Sequence, residues 1–206
     1  MIIMNRRLLK PRSGNSYRSC PEDWMIQPKV NDHRVGIILS RDMDDLHCFS
    51  NEGSEYTKAD LSHFKTDIVS FFQWLYVERG FPVPSGEFPY MLDCGVMGPA
   101  YGEPASTLIV HDLPKESKPY NRRYAMLSNF FGTWMMDETT TGVQVLPVWQ
   151  KYLMPVFWTY MKELNQKQGK NLYEGFVCKD PNSKYPKVSN KKKYPFWVKY
   201  RFDQLN

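Results

Sequence analysis

Between Arg34 and Ser50 two short apolar runs, RVGIIL and LHCFS, flank a polar turn at Arg41–Asp45, which predicts two paired strands. A different period follows. Leu61, Phe64, Ile68, Phe71, Phe72 and Leu75 recur every three or four positions, predicting a helix from about Lys58 to Arg79. Thr57 stands where a cap belongs and Gly80 where the helix must stop. After the Pro-rich stretch FPVPSGEFP, YMLDCGVMG (90–98) and STLIVHDLP (106–114) read as buried strands. Helical spacing returns around Arg122–Trp134 and around Pro147–Gln168, where Pro155 predicts a kinked or split helix. Two strand-like runs, YEGFVCK (173–179) and FWVKYRF (196–202), close the pattern around a polar basic loop, Asp180–Lys193. Neither repeats nor a linker interrupt it. The expected architecture is a mixed α+β single domain over residues 1–206, its strands short and mostly antiparallel.

Composition narrows the class. Apolar content of 42% and charged content of 24% are those of a globular chain, and no apolar run approaches the roughly 18 residues of a membrane span. No membrane partner is therefore expected. The charges in MIIMNRRLLKPRSG break the apolar start before a signal-peptide core can form. Cys20, Cys48, Cys94 and Cys178 are scattered, with no C-x-x-C pair and no histidine at ligand spacing. A zinc site or disulfide framework is thus not expected, and a reducing cytoplasm is the expected compartment.

The net charge of +5 is unevenly spread. Arg6, Arg7, Lys10, Arg12 and Arg18 crowd one end, and Lys184, Lys187, Lys191, Lys192, Lys193, Lys199 and Arg201 the other. Solvated basic faces would account for this, as would attraction to phosphate in a nucleotide or nucleic acid.

Five short segments sharpen the second alternative. They are KVNDHR (29–34), FSNEGSEYT (49–57), MLDCGVMGP (91–99) with TLIVHDLP (107–114) behind it, YEGFVCK (173–179) and FWVKYR (196–201). In this order they resemble the motifs of the adenylation (nucleotidyltransferase) domain of ATP-dependent polynucleotide ligases, a superfamily that includes mRNA capping enzymes. The resemblance covers Trp24–Arg201. It implies an ATP-grasp-like nucleotidyltransferase fold of mainly antiparallel sheets flanked by helices.

In that pattern the first motif is K-x-D-G-x-R, and its lysine attacks the α-phosphate. Lys29 and Arg34 match it, while Asn31 and Asp32 stand where relatives have Asp and Gly. In FSNEGSEYT, Asn51 takes the place of the usual phosphate-binding arginine. The third motif, L-D-G-E, is matched by Asp93, but Gly95 stands where most relatives have Glu. Read alone, the stretch favours a surface lysine in a loop before a strand. Its use as a nucleophile needs help, because an amine with a pKa of about 10.4 is neutral in roughly one molecule in a few thousand at pH 7.

The resemblance implies roles for the rest. Gln27 would meet the adenine amino group, Arg34 the ribose or phosphate, and His111 the face of the purine. Lys179, Lys199 and Arg201 would meet the phosphates, Glu174 would reach the nucleotide through metal or water, and Asp93 and Glu174 would hold Mg²⁺. Glu174 and Lys179 lie five residues apart, so on a regular strand they point to opposite faces unless a bulge intervenes. Lys199 and Arg201 share one face with Trp197.

The function implied is that of an ATP-dependent DNA ligase, or its adenylation domain, of compact phage-type form. Lys29 would carry AMP and pass it to the 5′-phosphate of a nicked duplex. RNA ligase and capping guanylyltransferase chemistry share the first motif and stand as alternatives. So does a degenerate, non-catalytic ligase-like domain that binds nucleotide or nucleic acid. The chain stops where such ligases begin a C-terminal OB-fold domain, so a separate OB-fold or DNA-binding partner protein is expected to supply part of the grip on DNA.

Overall fold

A computed structural model describes residues 8, 10–134, 141–186 and 194–202. The short β1 (Pro11–Ser13) precedes β2 (Met25–Val30), and β3 (His33–Leu39) turns into β4 (Leu46–Ser50) as the sequence predicts. The expected long helix begins later. Asp60 accepts from the backbone N–H and the hydroxyl of Ser62, holding Thr57–Leu61 out of the helix and starting a 3₁₀ turn at Ser62. From there α1 (Lys65–Gln73) runs into one π-helical turn, Trp74–Glu78, and left-handed Gly80 follows.

The buried strands expected after it are β5 (Tyr90–Met97) and β6 (Thr107–Asp112). Then come α2 (Tyr120–Phe131), β7 (Gly142–Val145), α3 (Met154–Gln168), β8 (Tyr173–Lys179) and β9 (Tyr194–Arg201). Pro155 neither kinks nor splits α3. It falls in the first turn, where a missing N–H costs nothing, and residues 147–150 stay outside the helix.

The strands form two sheets, in the orders β4-β3-β5-β6-β7 and β1-β9-β8-β2. Most pairs are antiparallel, while β1–β9 and β6–β7 are parallel. Period-two alternation assigns each face its task. In the five-stranded sheet Val35, Ile37, Leu92, Cys94, Val96, Leu108 and Val110 pack under Ile68, Phe71 and Phe72 of α1 and Leu127 of α2. In the four-stranded sheet Ile26, Phe176, Cys178, Val198 and Tyr200 pack under Met154 and Met161 of α3. The intervening residues face the other way, and these are the polar ones: Gln27, Lys29, Lys179, Lys199 and Arg201 on one sheet, Arg34, Asp93 and His111 on the other. Helices cover the apolar faces, and the polar faces meet at a cleft.

Among the described residues no helix is long and apolar enough to cross a membrane. All four cysteines are free thiols. Lys187 and Lys191–Lys193, like Arg6 and Arg7, lie outside the described residues.

Candidate functional site

The cleft is walled by Gln27, Pro28, Lys29 and Val30 of β2, Val177 and Lys179 of β8, and Trp197 of β9; Asp32 faces them from the turn after β2, and Arg34 and His111 from the other sheet. It encloses about 450 Å³ of atom-free space, open mouth included. Three of its six polar or charged side chains, apart from the Trp197 indole, are lysine or arginine, against one carboxylate, so its chemistry favours an anion.

Lys29 lies within β2 rather than in a loop before a strand. β2 is a sheet edge, which tolerates Pro28 next to it. The Lys29 Nζ is 2.7 Å from Glu174 Oε2, and Arg201 Nε is 3.1 Å from the same oxygen. A bulge makes this possible. Lys29 pairs with Gly175 and Val30 with Tyr173, leaving Glu174 as the extra residue, and Gly175 takes a φ of +136°. The bulge brings Glu174 onto the face that carries Lys29 and Lys179, which a regular strand would not do. Glycine is required there, because a Cβ would fall 1.9 Å from the Tyr200 carbonyl oxygen.

Arg34 donates from Nε and Nη2 to the two carboxylate oxygens of fully buried Asp93, and the Tyr185 hydroxyl donates to Asp93 Oδ2 at 3.1 Å. Burial works against the Arg34 charge, but Asp93 beside it more than compensates and raises its pKa further. Asp93 is thus a brace beneath Arg34 and lies outside the cleft wall.

Asp32 and His111 form a second buried pair, Oδ2 to Nε2 at 2.7 Å. Burial opposes ionisation of Asp32, yet His111, Lys29 and Arg34 together hold its carboxyl below the usual range. Burial pushes the His111 imidazole down, beyond what Asp32 restores, with Arg34 and Lys179 adding to the effect. An ionised carboxylate can only accept, which fixes the direction: Nε2–H donates to Oδ2.

The floor is a relay of neutral and charged donors. Lys179 Nζ donates to the His111 carbonyl and to the Tyr120 hydroxyl, both at 2.9 Å. Tyr120 donates to Gln27 Oε1 at 2.8 Å, and Gln27 Nε2 donates to the Leu146 carbonyl at 3.1 Å. The Lys179 ammonium also lies over the rings of Tyr120 and Trp197. Burial dominates nonetheless and lowers its pKa to about 7, with Arg34 and Arg123 pushing the same way against Asp112. Behind the floor, Arg123 clamps Asp112 in a fully buried two-point ion pair at 2.7 and 2.8 Å.

Of the residues singled out from sequence, Gln27, Lys29, Arg34, His111 and Lys179 line one cleft, and Glu174 and Arg201 join it through Lys29. Lys199 pairs across from the wall residue Val177 and lies outside the lining. Asp93 does not reach the cleft. Sequence reasoning missed Tyr120 and the Asp112–Arg123 clamp, for which no spacing signal existed. Asp32 registered only as a departure from a pattern.

No protein-family model matches the chain, and no curated protein matches it in sequence. Solved structures do match in fold. A Lig E DNA ligase aligns at a TM-score of 0.56 with 9% identity, over 95% of this chain and 68% of its own. The Chlorella virus DNA ligase–adenylate aligns at 0.53 with 11% identity, over 94% and 66%. An archaeal ATP-dependent RNA ligase aligns at 0.53 with 13% identity, over 96% of this chain and 48% of its own. The chain thus spans between about half and about two thirds of these proteins. Its fold is that of the ligase nucleotidyltransferase domain.

Proposed function

We propose that the cleft catalyses nucleotidyl transfer from ATP, with Lys29 as the nucleophile. The observation that carries this is the placement of the Lys29 amine against Glu174, in a cation-rich cleft of a ligase-type fold. Nζ attacks the α-phosphorus, a P–N bond forms, and the P–O bond to the β-phosphate breaks, releasing pyrophosphate. The amine must shed its protons on the way, and Glu174 Oε2 is within proton-transfer distance. Arg34, braced by Asp93, and Lys179 face the same space and would share the charge of the phosphates. Gln27 and His111 would bound the base.

Among the described residues no cluster of three His, Cys, Asp or Glu side chains is poised to bind a metal. A Mg²⁺ ion needs few protein ligands when phosphates supply the rest, and Glu174 is the carboxylate at the cleft that fits such sharing. Bound there, Mg²⁺ would draw negative charge off the phosphate.

In the second half of the reaction, an oxygen of a polynucleotide 5′-phosphate displaces Lys29 and takes the AMP. A neighbouring 3′-hydroxyl then expels AMP and seals the strand. Likeness to DNA ligases over nearly the whole chain supports nicked duplex DNA as the substrate, with RNA as the second candidate. A separate OB-fold or DNA-binding partner protein would extend the grip on the duplex.

The test is incubation with α-labelled ATP and Mg²⁺, followed by a search for label on the chain with Lys29→Ala as control. Label that is alkali-stable and acid-labile, as a P–N bond is, and absent from Lys29→Ala, is the expected result. No label with ATP or GTP would refute the proposal, and label from GTP alone would replace adenylyl with guanylyl transfer. Nicked DNA and nicked RNA duplexes offered to the labelled protein then decide the polymer.

A further inference from the structure

Gly95 on β5 has no room for a side chain. A Cβ there would lie 1.8 Å from Asp32 Oδ2, 2.3 Å from its Cγ and 2.8 Å from its Cβ. The Asp32 carboxylate therefore occupies the volume that a residue-95 side chain would fill, entering from the loop after β2 instead of from β5. The sequence carries the same exchange. In the motifs the chain resembles, glycine stands at the position of Asp32 and Glu at the position of Gly95; here each holds the other's kind of residue. Sixty-three positions separate them, and the fold brings them into contact.

The placement of the Asp32 oxygens is unequal. Oδ2 is locked onto His111 at 2.7 Å, while Oδ1 accepts no hydrogen bond from the described residues, and Asp32 is part of the cleft wall. A carboxylate held charged at a cleft with an unused acceptor seeks a donor from the ligand. With Oδ2 already tied to His111, the single free oxygen suits a hydrogen-bond donor. A neutral donor close to a phosphate group fits, and in a nucleotide that is a ribose hydroxyl.

We infer that Asp32 reads a ribose hydroxyl of the nucleotide, taking over from a side chain that Gly95 has given up to make room for it. This deepens the reading of the cleft as a nucleotide site and rests on it. The pair is coupled: Asp32 needs Gly95, and a larger residue at 95 needs Asp32 removed. His111 serves as the positioning residue, holding Oδ2 and leaving Oδ1 for the ligand.

Calorimetric titration of the whole chain with ATP, 2′-deoxy-ATP and 3′-deoxy-ATP, each with and without Mg²⁺, tests this. The wild type should bind ATP roughly ten- to a hundredfold more tightly than whichever deoxy analogue lacks the hydroxyl that is read, the range expected for a hydrogen bond to a charged group. Asp32→Asn, which keeps the shape and a contact to His111, should abolish that discrimination by weakening ATP alone. Gly95→Glu should lower the melting temperature through its collision with Asp32, and Asp32→Gly/Gly95→Glu should bind ATP more tightly than Asp32→Gly.

Unchanged ribose discrimination in Asp32→Asn overturns the inference, as does a double variant no better than Asp32→Gly. An effect of Asp32→Asn that appears only with Mg²⁺ reassigns the carboxylate to the ion and overturns it too. The parent proposal fails separately. Ribose-selective binding that depends on Asp32 without label on Lys29 sinks the transferase and leaves Asp32 standing, whereas no binding of ATP or GTP sinks both.

Discussion

Replacing Lys179 with Met should change how stability depends on pH. In the native fold Lys179 is almost fully buried, with two acceptors for three ammonium protons and a pKa lowered from 10.5 to about 7. In the unfolded chain it keeps its ordinary value. The sign follows from proton counting: between about pH 7 and 10.5 the unfolded state holds a proton the native state has released, so stability rises with pH across that window. Integrating the proton difference from pH 7 to 9 gives roughly 1.7 pH units of full slope, or about 2 kcal/mol. Below pH 6 both states are protonated and the slope vanishes.

Met has no proton to lose, so the wild-type-minus-variant difference isolates this contribution from every other titrating group. Urea unfolding followed by tryptophan fluorescence at pH 5, 7 and 9, at constant ionic strength, measures it. The difference should be nearly flat from pH 5 to 7 and shift by about 2 kcal/mol in favour of the wild type by pH 9. Parallel stability curves would refute the argument, since they would mean that Lys179 keeps its solution pKa despite its burial.

Three further outcomes follow from the same geometry. Glu174→Gln, which removes the proton acceptor beside Lys29, should slow formation of the Lys29 adduct by about a hundredfold or more; a rate within about threefold of wild type would remove Glu174 from that role. Gly175→Ala should cost roughly 3 kcal/mol in denaturant unfolding, because φ is +136° and the new Cβ meets the Tyr200 carbonyl; a cost under about 1 kcal/mol would mean that the bulge yields. Asp112→Asn strips Arg123 of its buried counter-charge and should cost roughly 3–5 kcal/mol, read as a fall in the urea midpoint at unchanged slope.

The local pattern foretold most strands and the order of the segments that build the cleft, because alternation and motif spacing are properties of neighbours. Contacts between residues far apart in sequence were not legible. Asp93 matched a motif and looked available, but its two oxygens are taken by Arg34, 59 positions away, and by Tyr185. Asp32 and Gly95 were each a mismatch when read singly, and only their contact turns two departures into one exchange. β2 escaped notice because Pro28 argues against a strand interior, an objection that an edge position removes. The helix expected from Lys58 started late because a single Asp60 side chain competed for the first N–H groups.

The sheet that carries Lys29 is assembled from both ends of the sequence: β9 lies between β1 and β8, and β2 closes the far edge. During synthesis at roughly 5–20 residues per second, β1 and β2 emerge many seconds before β9. Neither β1 nor β8 can complete its pairing until then, whereas β3, β4 and β5 already have their partners. The five-stranded layer is thus free to form on the ribosome, while the wall bearing Lys29 waits for β9. Contacts of such long sequence separation also make refolding slow. A half-made chain exposes Lys29 on an unpaired edge, and its ion pair with Glu174, which Arg201 shares, is among the last contacts to form.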